Sequence, residues 1–208
     1  MNTPENGLLL SDRFTRAVEY ARQFHTEYRK GTCIPYMAHL LGVAALVMGE
    51  AGGPVPVTED MVIAALLHDV AEDHGGQARL DEIIAQFGSE VAAMVAALSD
   101  SIEEEGKPKK DWKPRKEDYL IRLAAEPENV LLISVADKLY NAKAILDDLT
   151  DKAIGSAVFG RFKAGPDQQV WYFESLLAVF KSHHLGRIGS EFETVVHDLR
   201  KAIAPPAA

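Results

Sequence analysis

The chain has 208 residues, a mass of 22.8 kDa and a net charge of −9 at pH 7. Its hydrophobic content of 47% and charged content of 25% are those of ordinary globular proteins, and its length allows one sizeable buried core. The negative charge and the pI near 5.3 argue against a nucleic-acid-binding protein, because phosphate backbones require a basic surface. We expect one domain over residues 1–208.

The chain shows no sign of secretion or of membrane insertion. Its N-terminal residues contain no cationic segment followed by an apolar stretch of signal-peptide length, and apolar runs such as residues 130–135 are too short to cross a bilayer. The single cysteine, Cys33, has no partner for an internal disulfide, which is typical of a reducing compartment. We therefore expect a cytoplasmic protein with no membrane partner.

Helical periodicity predicts five helices in the first half of the chain. The first begins at Ser11-Asp12 and continues through Tyr28. A central helix begins after Thr58, a good N-cap, and ends at the pair Gly75-Gly76. The other three are predicted at about residues 36–49, 80–87 and 90–98.

The second half begins with a charged loop over residues 99–114, followed by a helix to about residue 125. Residues 130–136 are rich in β-branched side chains, as buried strands are, but the apolar pattern continues through Leu149, which favours a long helix. Further helices are predicted at about 170–180 and 190–203. The predicted fold class is all-α, a single-domain helical bundle.

Charged side chains interrupt the apolar central helix at His68, Asp69, Glu72 and Asp73. Burying an ionised carboxylate without a partner costs several kcal/mol. Residues four apart share a helix face, so we expect His68 above Glu72 and Asp69 above Asp73, with a compensating cation nearby.

Two residues from other predicted helices extend this set. His39 lies on an apolar helix, and Asp137 lies on the long helix with Asn141 one turn later. Either alone is typical of a hydrogen-bonded core residue, but together with His68-Asp69 they form a mixed nitrogen and oxygen ligand set. Such a set suits Mn, Fe, Co or Zn better than Ca or Mg.

Four segments of the sequence carry a family resemblance over about residues 14–150. They are His25-x-x-x-Arg29-Lys30-x-x-x-x-Pro35-Tyr36-x-x-His39, Ala64-Ala65-Leu66-Leu67-His68-Asp69-Val70-x-Glu72-Asp73, Phe87-Gly88-x-x-Val91-Ala92 and Ala136-Asp137-Lys138-Leu139-Tyr140-Asn141-Ala142. With these segments the chain resembles the HD-domain metal-dependent phosphohydrolases. Within them it is most similar to the hydrolase domain of bifunctional alarmone synthetase/hydrolases and their small stand-alone relatives, which remove the 3′-pyrophosphate from (p)ppGpp using Mn²⁺. Residues 151–203 form a helical C-terminal extension to this core.

The resemblance implies a role for each site residue. One divalent metal ion is expected, with Mn²⁺ first and Fe²⁺, Co²⁺ or Zn²⁺ as alternatives. The implied metal ligands are His39, His68, Asp69 and Asp137. Glu72 and Asp73 are implied to position and deprotonate the attacking water, which is the chemistry that phosphate ester hydrolysis requires. Arg29, Lys30 and Asn141 are implied to contact the substrate.

The implied reaction is hydrolysis of the 3′-pyrophosphate of (p)ppGpp or of a related small phosphorylated nucleotide. A broader nucleotide phosphohydrolase and a non-catalytic nucleotide-binding sensor stay open as alternatives. The chain differs from the usual family pattern at Glu27-Tyr28, Leu40, His74 and Tyr140. His74 is a potential ligand for a second metal ion. No further histidine lies between the central helix and Asp137, however, so one metal is expected.

A cluster of basic side chains surrounds Trp112 in this otherwise acidic chain. A solvated loop and a flap over a polyphosphate are both compatible with the pattern. The cluster consists of Lys107, Lys109, Lys110, Lys113, Arg115 and Lys116.

Overall fold

Helices make up nearly all the regular structure of the chain. The computed structural model describes residues 7–100 and 111–203. Within these ranges the chain forms ten α-helices and one 3-10 helix, and the only β pairing is an isolated bridge between Tyr28 and Pro35. The predicted all-α fold is confirmed.

The helices follow one another with short connections. In chain order they are α1 (Asp12–Phe24), α2 (Tyr36–Gly49), α3 (Glu59–Leu67), α4 (Val70–Asp73), α5 (Gly76–Phe87), α6 (Ser89–Leu98), α7 (Trp112–Leu123), α8 (Glu128–Thr150), α9 (Pro166–Phe180) and α10 (Gly186–Ile203). The 3-10 helix Gly155–Arg161 lies between α8 and α9.

The centre of the fold is α3. Every residue from Met61 to Leu67 is buried, so this helix is apolar on all sides, as a helix enclosed by others must be. Helices α1, α2, α6 and α8 pack around it. The α3 helix starts where predicted, because the Thr58 hydroxyl accepts a hydrogen bond from the amide of Met61.

The long helix α8 joins the two halves of the structure. Residues 130–136 are helical and buried, which confirms the prediction of helix rather than strand. Helices α9 and α10 pack on α8, and one cluster of buried residues runs from Ala17 to Leu199. This continuous core supports the single-domain organisation, which stays a prediction. No described helix is both long and apolar enough to cross a membrane.

The predicted continuous central helix is wrong, because α3 ends at Leu67 and α4 begins at Val70. The His68 ring explains the break. Its Nδ1 lies 2.8 Å from the carbonyl oxygen of Ala65, which an unbroken helix would pair with the amide of Asp69. The two residues between the helices are therefore His68 and Asp69.

Four other helix boundaries differ from the predictions, and one of them is the start of α9, at Pro166 rather than at about residue 170. The first helix ends at Phe24 rather than at residue 28, because the backbone of His25 leaves helical geometry and Tyr28 pairs with Pro35. Helix α5 begins four residues early, at Gly76, and α10 begins at Gly186. Both glycines have positive φ, which the periodicity of apolar residues does not reveal.

Candidate metal centre and adjoining cleft

The four predicted ligands converge at the carboxyl end of α3. The Nε2 atom of His39 lies 3.3 Å from Nε2 of His68 and 3.3 Å from Oδ1 of Asp137. The Oδ2 atom of Asp69 lies 3.0 Å from Nε2 of His68 and 3.5 Å from Nε2 of His39. Two imidazole nitrogens and two carboxylate oxygens therefore face one another, although they come from three separate parts of the chain.

Packing holds these side chains in place. His39 lies in the first turns of α2, and Asp137 lies in the middle of α8; both are buried, as is His68. Because Nδ1 of His68 is hydrogen-bonded to a backbone carbonyl, its Nε2 is the ring nitrogen that faces the other three groups.

Both carboxyl groups are ionised in this setting. Burial raises the pKa of Asp137, but the Lys138 ammonium and the two imidazoles outweigh it and hold the pKa well below the usual range. Burial likewise raises the pKa of Asp69, while His68 and His39 hold it well below its ordinary value. Two carboxylates and two imidazoles around one point fit a borderline divalent cation.

Tyr36 supports this group, although sequence reasoning assigned it no role. Its hydroxyl donates a hydrogen bond of 2.6 Å to Oδ2 of Asp69. Burial, together with the charge of Asp69, raises the pKa of Tyr36 far above its ordinary value, so the phenol stays a donor. The signal available in the sequence was its position directly after Pro35 in the matching segment.

A chain of hydrogen bonds leads from Asp137 to the loop before α2. Nδ2 of Asn141 donates to Oδ1 of Asp137 at 2.6 Å, and Nη2 of Arg29 donates to Oδ1 of Asn141 at 2.7 Å. The other oxygen of Asp137 accepts a hydrogen bond from Lys138. The candidate ligand and two of the predicted substrate residues thus form one network.

A cleft of about 770 Å³ opens beside this network. The predicted substrate residues Arg29, Lys30 and Asn141 all line it. The guanidinium carbon of Arg29 lies 5.8 Å from the ring centre of Tyr36 and 5.7 Å from that of Tyr140, so the cation is held between two aromatic rings.

The two predicted water-handling carboxylates lie on α4. Oε2 of Glu72 accepts a hydrogen bond of 2.8 Å from the amide of Asp100, and its Oε1 lies 3.9 Å from Nη1 of Arg115. Asp73 is exposed, and its charge acts on Tyr36. Glu72 thus links α4 to α7.

Half of the predicted basic cluster lies on α7, where Arg115 and Lys116 both pair with the carboxylate of Asp100. Lys107, Lys109 and Lys110 lie outside the described residues.

One known protein family matches most of this chain. A family described as the HD domain matches residues 17–159. The chain belongs to the HD domain family. The resemblance predicted from the four sequence segments is thereby confirmed, and membership implies that the chain binds a divalent metal ion.

Two relatives of this HD domain carry the same enzyme name. A guanosine-3′,5′-bis(diphosphate) 3′-pyrophosphohydrolase of Aquifex aeolicus is 33% identical over 135 residues, which are 65% of this chain and 18% of that protein. The mouse guanosine-3′,5′-bis(diphosphate) 3′-pyrophosphohydrolase MESH1 is 33% identical over 132 residues, which are 61% of this chain and 66% of that protein. The chain therefore spans less than two thirds of the length of each relative.

Solved structures show the same arrangement of helices. A metazoan ortholog of SpoT, described as hydrolysing ppGpp, superposes with a TM-score of 0.70 at 22% identity and covers 91% of this chain and 96% of that one. A protein of Listeria monocytogenes superposes with a TM-score of 0.63 at 28% identity and covers 78% of this chain and 99% of that one.

Proposed function

We propose that this HD-domain protein is a cytoplasmic, Mn²⁺-dependent hydrolase that removes the 3′-pyrophosphate of (p)ppGpp or of a related nucleotide. The observation that carries the proposal is the convergence of His39, His68, Asp69 and Asp137 beside a cleft lined by Arg29. The names of the relatives with about 33% identity support the substrate.

The metal site is proposed to consist of His39, His68, Asp69 and Asp137. A bound divalent ion supplies a nucleophilic water at neutral pH and positive charge beside the phosphoryl group. The protein's own contribution is orientation, because Tyr36 holds Asp69 and the carbonyl of Ala65 holds the His68 ring.

Glu72 and Asp73 are proposed to position the attacking water and to accept its proton. Both lie on α4, which starts directly after the ligand pair His68-Asp69. The amide of Asp100 and the guanidinium of Arg115 hold Glu72 in place, which limits the directions its carboxylate can take.

Arg29, Lys30 and Asn141 are proposed to bind the substrate. The planar guanidinium group of Arg29 can donate two parallel hydrogen bonds to a phosphate or stack on a purine. Its bond to Asn141, and through that residue to Asp137, sets the distance between the bound nucleotide and the metal site.

A nucleotide-binding sensor is the second candidate. The specific observation in its favour is that Glu72 is already engaged by the amide of Asp100. A sensor requires a metal and a nucleotide site but no water-activating carboxylate.

Turnover separates the two candidates. Purified protein is incubated with Mn²⁺ and ppGpp, and GDP and pyrophosphate are measured over time. The hydrolase should release both products, Asp69→Ala should abolish release, and the surface variant His197→Ala should retain it. Binding of ppGpp without products indicates the sensor, and cleavage of other nucleotides with intact ppGpp indicates the broader phosphohydrolase.

A further inference from the structure

A second group of ligand-type side chains lies close to the candidate metal centre. Nδ1 of His25 lies 2.8 Å from Oε1 of Glu27, and Nε2 of His74 lies 3.8 Å from the same oxygen. One potential ligand atom from each of these residues lies within 4.8 Å of the other two. Two imidazoles and a carboxylate therefore meet at one place.

We propose that His25, Glu27 and His74 bind a second divalent metal ion of the Zn²⁺, Co²⁺ or Fe²⁺ type. Two imidazole nitrogens and one carboxylate form a ligand set of the borderline class that these ions prefer. Three protein ligands leave further positions of the ion for water or for a bound group.

Glu27 is exposed, but burial of the imidazole nitrogens distinguishes this group from a chance surface cluster. The His25 ring is only 2% exposed. The Nε2 atoms of His25 and His74 are both buried, and neither has a hydrogen-bond partner among the described residues. An unsatisfied buried nitrogen costs about 1–3 kcal/mol, so Nε2 of His74, which faces Oε1 of Glu27, has unmet bonding capacity that a cation would use.

Tyr36 separates the two proposed sites, which share no ligand. Its ring stacks on that of His25, with centres 4.7 Å apart and planes 11° from parallel, while its hydroxyl binds Asp69. One metal was expected because no histidine lies between the central helix and Asp137. His25 precedes that interval and reaches His74 only through the fold.

The second ion would join two helix ends. His25 follows the last residue of α1, and His74 follows the last residue of α4. The loop that carries Arg29 and Lys30 begins at this point, so the ion would hold that loop against the helix that carries Glu72 and Asp73.

The test is a metal count on the full-length protein. Chelator-treated protein is titrated with Co²⁺ and with Zn²⁺, using calorimetry and visible absorption of Co²⁺, and bound metal is measured by mass spectrometry after gel filtration. Wild type should bind two equivalents. His74→Ala and Glu27→Ala, both at partly exposed positions, should bind one, and Asp69→Ala should keep the equivalent at the second site.

A matched control comes from α10, where Nε2 of His197 lies 3.6 Å from Oε1 of Glu193 and no third candidate ligand joins them among the described residues. His197→Ala should retain both equivalents. One equivalent in wild type, or two in His74→Ala, would overturn the proposal. The number of bound metal ions is measured without turnover. Absence of ppGpp hydrolysis in a protein with two bound metals would therefore contradict only the proposed function.

Discussion

Nη2 of Arg29 donates a hydrogen bond of 2.7 Å to Oδ1 of Asn141, although 112 positions separate the two residues. Asn141 in turn donates to Asp137, so a cation at the rim of the cleft is tied to a proposed metal ligand. A substitution that breaks the hydrogen bonds from Arg29 through Asn141 to Asp137 is therefore expected to change both substrate binding and the position of the proposed metal ligand.

Replacing Arg29 by lysine tests the link. The Arg29→Lys variant keeps the charge but loses the planar fork and the packing between Tyr36 and Tyr140, so we expect kcat/KM for ppGpp to fall about tenfold or more, mainly through KM. Steady-state kinetics measures this. Arg22→Lys, on the exposed face of α1, should leave both constants unchanged, and an equal loss in the two variants would contradict the assignment.

Removing the Tyr36 hydroxyl should weaken metal binding. Tyr36→Phe deletes the donor to Asp69 but keeps the ring, and loss of such a supporting bond typically lowers metal affinity about 10–100-fold. Mn²⁺ affinity measured by calorimetry checks this. Tyr28→Phe, at a tyrosine that is 62% exposed, is the matched control. Unchanged affinity in Tyr36→Phe would show that the bond does not support the metal site.

Glu72→Gln separates chemistry from binding. The amide keeps the shape and can still accept from Asp100 but no longer takes a proton, so kcat should fall about 10²–10⁴-fold with metal content and KM nearly unchanged. Product release and bound metal are measured on the same sample. Glu90→Gln, at an exposed site on α6, should behave as wild type. Full activity in Glu72→Gln would assign proton transfer to another group.

Chelation should destabilise the protein, because removing the ion leaves Asp69 and Asp137 as neighbouring carboxylates without a shared cation. An ion present at 100 times its dissociation constant contributes about 2.7 kcal/mol to the free energy of unfolding, or roughly 5–11 °C in Tm for a chain of this size. Differential scanning fluorimetry with excess Mn²⁺ and with EDTA measures the shift. Asp69→Ala should lose most of it; a full shift in that variant would place Mn²⁺ elsewhere.

Gly42 sets the position of the Tyr140 ring. A Cβ added at Gly42 would collide with that ring, so Gly42→Ala should push Tyr140 into the cleft, cost about 1–3 kcal/mol and raise KM. Gly49→Ala, at the end of the same helix where a Cβ meets nothing within 4 Å, should not destabilise the protein. Thermal unfolding and steady-state kinetics are measured for both variants. Equal stability and equal KM in Gly42→Ala and Gly49→Ala would contradict this role.

Local pattern was sufficient to predict the helical class and most of the helices. Repeated apolar spacing depends on a few neighbouring residues, which is why α8 was predicted correctly despite its β-branched start. The break at His68-Asp69 was missed because a side chain there competes for a backbone carbonyl, and periodicity does not report that competition.

Residue types and their spacing were enough to predict the chemistry available to this protein: two imidazoles and two carboxylates in apolar segments that resemble the HD domain. Which of these groups meet depends on how the whole chain packs. Tyr36 supports Asp69, Arg29 reaches Asn141, and His25 and Glu27 reach His74, because loops and helix ends bring distant residues together. Such long-range contacts follow from the packing of the whole core around α3, and no local spacing in the chain records them.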